Sequence, residues 1–104
     1  VKTIAFKMYL KKGQQHEYRK RHDEIWPELH SLLTDSGIRE YHIFLDEESD
    51  ILFALMKVAD NHTVDSLPDH PLMRKWWDFM ADIMETRKDN APVTKDLELM
   101  FAMP

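Results

Sequence analysis

No cysteine occurs anywhere in the chain. A disulfide framework, a thiolate metal site and a thiol nucleophile are therefore excluded at the outset. Glycine is almost as scarce: Gly13 and Gly37 are the only two. A Gly-rich phosphate cradle, whether Walker-type or dinucleotide-binding, cannot be built from them. The longest unbroken apolar run, Ile51 to Met56, is far shorter than the roughly 20 residues of a membrane-spanning helix. The stretch Val1-Lys2-Thr3-Ile4-Ala5-Phe6-Lys7 contains no sustained apolar signal region, so a cytoplasmic location is expected. Positive charge is also in deficit, the net charge being −5, which argues against a nucleic-acid partner. The one basic cluster, Arg19-Lys20-Arg21, is flanked by Glu17, Asp23 and Glu24 and reads as a solvated helix face.

What remains is a chain of 104 residues, the size of one domain, without repeats or linkers and large enough to bury a core. Ile4, Phe6, Met8 and Leu10 alternate with Ala5, Lys7 and Tyr9, the pattern of a half-buried strand. After Gly13 a helical stripe runs through Tyr18, His22, Ile25, Trp26, Leu29, Leu32 and Leu33 to about Ser36. Pro27 lacks an amide donor and clashes with the carbonyl of Asp23, so the segment is either kinked or two helices meeting near Trp26. Gly37 suits the residue just past its end.

Ile38 to Asp46 reads as a second strand, with Tyr41, Ile43 and Leu45 sharing a face. Ile51 to Val58 is a third, apolar almost throughout, which implies cover on both faces. Asn61 to His70 is an irregular connection with a short helical piece, broken by Pro68 and Pro71. Helical spacing then links Met73, Trp76, Trp77, Met80, Ile83 and Met84 from Pro71 to about Thr86. Asp96 to Met103 alternates again and reads as a final strand. The order β-α-β-β-α-β is that of a ferredoxin-like α+β fold with helices on one sheet face. The opposite face, carrying Phe44, Met100 and part of the third strand, is too apolar to stay wet. A homodimer with facing sheets is the expectation.

Tyr18 and His22 stand four apart, so a helix places them on one face at the upstream end of the buried stripe. Tyr41 approaches both if the strand alternation holds. A histidine on an apolar face is often a satisfied core residue, but phenols converging on an imidazole resemble a small ligand pocket. Trp76 and Trp77 point about 100° apart on a helix, so one lines the pocket while the other packs, or both pack. The six histidines show no HxxxH or HxH spacing, and no metal site is expected. Glu28 and Asp82 are acid–base candidates by helix position, and read better as surface carboxylates. Aromatic walls, one imidazole and no cofactor cradle suit an uncharged polar ligand such as a sugar.

The segments Arg21-His22-Asp23-Glu24-Ile25-Trp26-Pro27-Glu28-Leu29, Tyr41-His42-Ile43-Phe44-Leu45-Asp46, Leu52-Phe53-Ala54 and Trp76-Trp77-Asp78-Phe79-Met80-Ala81-Asp82-Ile83-Met84 resemble the L-rhamnose mutarotase family. Asp89-Asn90-Ala91-Pro92 matches as well, whereas Glu85-Thr86-Arg87-Lys88 departs from the family's form. The resemblance implies a dimeric α+β barrel and a cofactor-free isomerase interconverting the α and β anomers of L-rhamnose. By matched position His22 resembles the family's proton donor, and Tyr18, Tyr41, Trp76 and Trp77 its sugar contacts. On that basis His22, as imidazolium, is the expected general acid toward the ring oxygen. The same fold also hosts monooxygenases and lactone isomerases, and a non-catalytic sugar-binding module is a further reading.

Overall fold

The computed structural model describes residues 1–104. Strand β1 (Lys2–Tyr9) leads into helix α1 (Gln15–Asp23), and α2 (Pro27–Asp35) follows directly. Strands β2 (Ile38–Asp46) and β3 (Ile51–Val58) form a hairpin. A 3₁₀ segment (Val64–Asp69), helix α3 (Pro71–Met80), a 3₁₀ turn (Ala81–Ile83) and a short β4 (Lys95–Asp96) complete the chain. The four strands pair antiparallel in the order β2-β3-β1-β4. That order is the ferredoxin-like arrangement expected from the sequence.

Prolines set the helix boundaries. Pro27 occupies the first position of α2, where its missing amide costs nothing and its fixed φ suits a helix. The residue before a proline is driven out of the helical region, and Trp26 is accordingly extended (φ −60°, ψ 129°). Of the two sequence-based options, the pair of helices is the one realised. Pro71 starts α3 in the same way, behind an extended His70 whose Nδ1 accepts from the Leu72 amide at 3.1 Å.

The helices cover one sheet face. Met8, Leu52, Ala54, Leu29, Met73, Trp76 and Met80 are buried together there, and Ile38, Met56 and Val58 form an adjoining cluster. Cross-strand partners share a face, so Met8 against Leu52 and Tyr41 against Met56 all point to this side.

Two expectations need correction. The last helix ends at Met80 plus one 3₁₀ turn, not near Thr86. Lys11 donates to the Ile83 carbonyl at 2.9 Å and Glu85 to that of Tyr9 at 2.9 Å, so the chain is drawn alongside the end of β1. The final strand is Lys95–Asp96, not Asp96 to Met103: it pairs only with Phe6 and Lys7. One more bond, Leu97 to the Ala5 carbonyl at 2.9 Å, ends the association. Beyond it Leu99, Met100, Phe101 and Met103 are exposed and Met100 lies outside the sheet. Within the chain β3 is covered on the helix side, and Phe53 and Leu55 stay open beside Phe44 on the outer side, the face for which a second subunit is the expected cover.

Gly37 has φ +107°, and an added Cβ would lie 2.8 Å from His62 Cβ and 2.9 Å from its Cα. Gly13, at φ +81°, has nothing within 4 Å of the same position. Gly37→Ala is therefore expected to cost clearly more than the about 1–2 kcal/mol of positive-φ strain that Gly13→Ala incurs. Urea unfolding of both variants checks the ranking, and equal losses would contradict it.

Candidate active site

Helix α1 is polar along most of its length, and Tyr18 is its one buried residue. One turn later His22 stacks on it, with ring centroids 4.3 Å apart and planes inclined by 27°. The imidazole also meets Trp76 of α3 edge-on at 5.5 Å. Trp76 continues into Trp26 at 5.0 Å and Phe79 at 5.6 Å. Edge-to-face contacts of this kind stabilise by about 0.5–1.5 kcal/mol beyond burial, so the ring of His22 is held on two sides.

His22 Nδ1 lies 3.0 Å from the Tyr18 carbonyl. A carbonyl only accepts, so Nδ1 carries the hydrogen and Nε2 holds the lone pair when the ring is neutral. Burial pulls the imidazole below its ordinary value, and the Tyr18 carbonyl and Asp23 only partly oppose this. The neutral ring is the resting form at neutral pH.

Burial pushes the Tyr18 phenol well above the ordinary range, and the nearby phenol of Tyr41 adds to the shift. Tyr41 itself is pushed up to about 12 by burial, although 37 % of the residue remains exposed. It stands on the helix-covered side of β2, across from the buried Met56. Both phenols stay protonated and can donate as well as accept.

These groups line a cleft of about 1330 Å³ between helices and sheet, together with Trp77. It exceeds the roughly 300–1,000 Å³ of a typical small-ligand pocket because it runs on to the 86–92 loop. Trp77 is half-buried with the Arg74 guanidinium 5.8 Å from its ring centroid. Arg74 pairs with Asp89 at 3.2 Å and Asn90 donates to Asp78 at 3.1 Å, which ties that loop to α3. All five sequence-selected residues thus border one cleft. Trp76 both packs in the core and lines the cleft, whereas Trp77 lines it without being fully buried.

One residue was misread. Arg19 and Lys20 are exposed, but Arg21 has only 13 % of its side chain accessible. It binds Glu17 at 2.9 Å, Asp82 at 2.8 and 3.2 Å, and the Phe79 carbonyl at 2.8 Å. The signal available beforehand was Glu17 four residues upstream. Asp82 is thereby a partner of Arg21 at the surface, and Glu28 is exposed.

On a ferredoxin-like sheet an imidazole, two phenols and two indoles border one cleft, groups that can exchange protons and hydrogen bonds with a small polar ligand. The L-rhamnose mutarotase family model matches residues 3–103. An L-rhamnose mutarotase of Rhizobium leguminosarum bv. trifolii is 57 % identical over 96 % of this chain and 94 % of its own. One from Jannaschia sp. is 55 % identical with both chains wholly covered. The crystal structure of L-rhamnose mutarotase from Formosa agariphila superposes with a TM-score of 0.93 at 49 % identity, again covering both chains fully. The chain belongs to the L-rhamnose mutarotase family.

The lowered His22 value has a stability consequence with a definite sign. The unfolded imidazole binds its proton near 6.5 while the folded one binds it only at lower pH. Stability therefore rises with pH through that window and is complete above about 6.5. Urea melts of the parent and His22→Gln between pH 5 and 8 should differ in this increment, and an NMR titration should place His22 below 6.5. A value at or above 6.5 would contradict the buried environment.

Proposed function

We infer that the protein interconverts the α and β anomers of L-rhamnose, an aldose isomerase reaction. The observation that carries this reading is the His22 imidazole, clamped between Tyr18 and Trp76 at the wall of the cleft. Family membership over nearly the whole chain supports the choice of sugar.

Opening a cyclic hemiacetal requires loss of the anomeric hydroxyl proton and delivery of a proton to the ring oxygen. Both oxygens are attached to the same carbon, so one nitrogen can serve both. Neutral His22 takes the anomeric proton through Nε2 as the C1 carbonyl forms. The imidazolium so made donates that proton to the departing ring oxygen. Rotation about C1–C2 presents the other aldehyde face, and the reverse transfers close the ring with no net proton gained or lost. His22 is thus still the proton donor. Its donated proton comes from the sugar instead of an imidazolium present at rest, because burial favours the neutral ring.

Tyr18 and Tyr41, protonated throughout the working range, hydrogen-bond sugar hydroxyls. Trp76 and Trp77 offer indole surface to the sugar's C–H face. Positioning contributes alongside proton transfer, since uncatalysed anomer exchange is already measurable. The chain acts as a single domain of 104 residues and is cytoplasmic in this reading. The working unit is a homodimer, closing the two sheets into an α+β barrel. Phe44, Phe53, Leu55 and Leu97 on the open sheet face support it, as does the apolar segment beyond them.

His22→Ala is expected to lower catalysed anomer exchange by about 10²–10⁴-fold, with a stability cost of about 1–3 kcal/mol from its two lost ring contacts. Saturation-transfer NMR on L-rhamnose reads this directly, and near-normal turnover would sink the assignment. The parent's kcat/KM should rise from the acid side and level off above about pH 6.5. A cycle starting from imidazolium predicts a fall instead. Sedimentation should give about twice the 12.5 kDa chain mass, and the double variant Phe44→Glu/Phe53→Glu should sediment as a monomer. A monomeric parent would dismiss the barrel.

A further inference from the structure

Helix α1 carries two of the site's polar groups, Tyr18 and His22, yet little in its own sequence explains why it stays in place. It spans nine residues, lacks a side-chain cap at either end and buries only Tyr18. Isolated helices shorter than about 12–15 residues are marginal in water, so this one depends on what it touches. Successive helical residues turn by about 100°, so Arg21 leaves the helix on a flank beside His22 and reaches the far end of α3.

We propose that Arg21 is the positioning residue of the site, fastening α1 to the end of α3 so that His22 is held against Trp76. The proposal rests on the acid–base role inferred for His22. Its guanidinium forks onto Asp82 at 2.8 and 3.2 Å, donates to the Phe79 carbonyl at 2.8 Å, and turns back to Glu17 at 2.9 Å. It also covers the Phe79 ring, 4.6 Å from the centroid.

A closed circuit results. Arg21 contacts Phe79, Phe79 meets Trp76 at 5.6 Å, Trp76 meets His22 at 5.5 Å, and His22 is Arg21's neighbour in the chain. Two of these links, Arg21–Phe79 and Trp76–His22, cross between α1 and the α3 end, and the other two run within a helix, so the circuit fixes the imidazole's distance from the indole. Isolated surface ion pairs contribute little. Arg21 differs from these: only 13 % of its side chain is exposed, and it makes a forked, charge-assisted set of bonds to three acceptor groups. A lysine would keep the charge and lose the fork. Because displacement by about 1 Å can cost about 10²-fold in rate, the effect belongs in kcat more than in sugar affinity.

The test compares Arg21→Met, Arg21→Lys and Asp82→Asn with the parent in the full-length chain. Steady-state anomer exchange on L-rhamnose gives kcat and KM. Carbon–proton correlation spectra give the His22 ring signals, which sense the ring current of Trp76. Arg21→Met should lose at least about tenfold in kcat with KM changed less than threefold, and its His22 signals should move toward those of an unstacked imidazole. Arg21→Lys should fall between it and the parent. A folded Arg21→Met with kcat within twofold of the parent, or with unmoved His22 signals, overturns the proposal. Should Arg21→Met fail to fold, Asp82→Asn decides by the same two readouts, because it leaves the arginine in place and removes one charged acceptor. If the parent itself does not accelerate anomer exchange, the functional reading fails, and the His22 signals still decide whether Arg21 positions the ring.

Discussion

One missing amide organises this molecule. Without Pro27, the stripe from Tyr18 to Leu33 would run as a single rod along the sheet. The proline instead forces Trp26 into an extended conformation and starts a new helix. Each half is then free to take its own direction. The second half packs Leu29 deep into the core, while the first presents Tyr18 and His22 at the cleft. Trp26, left at the corner, closes the joint by packing edge-on against Trp76. The break is therefore what allows one continuous apolar pattern to supply both core and site.

Enclosure then determines the chemistry. The same desolvation that holds two phenols protonated also keeps the imidazole neutral, because burial disfavours whichever form is charged. The three groups respond in opposite chemical directions to one cause. The outcome is a trio of uncharged groups that can offer and return hydrogen bonds, set in a cleft whose rim also carries charged side chains such as Arg74 and Asp89.

The parts legible beforehand were those in which local pattern and tertiary structure demand the same thing. Alternation in β1 and β2 placed Phe6, Met8 and Tyr41 on the inner face, and cross-strand register agrees. The i,i+4 spacing of Tyr18 and His22 survives directly as a stacked pair. The last strand illustrates the opposite case. Leu97, Leu99, Phe101 and Met103 alternate, but alternation specifies two faces and not a hydrogen-bonding neighbour, and the bonding to β1 stops at Ala5 although that strand runs back to Lys2. Met84 satisfied a helical spacing and sits buried next to the core, yet it arrives there through an isolated bridge to Leu10. Arg21 was hidden for a different reason: its acceptors Asp82 and Phe79 lie about sixty positions away. Locally only Glu17, one helical turn upstream, sets it apart from the solvated Lys20 beside it.

In the proposed homodimer the uncovered side of the sheet would link this chain's fate to its abundance. A copy diluted far from others keeps Phe44 and Phe53 hydrated, and hydration of such surface favours whatever apolar contact comes first. For the proposed homodimer mass action enters the thermodynamics: scarce and plentiful preparations would hold different populations, and a melting temperature recorded for either would belong to the concentration at which it was taken.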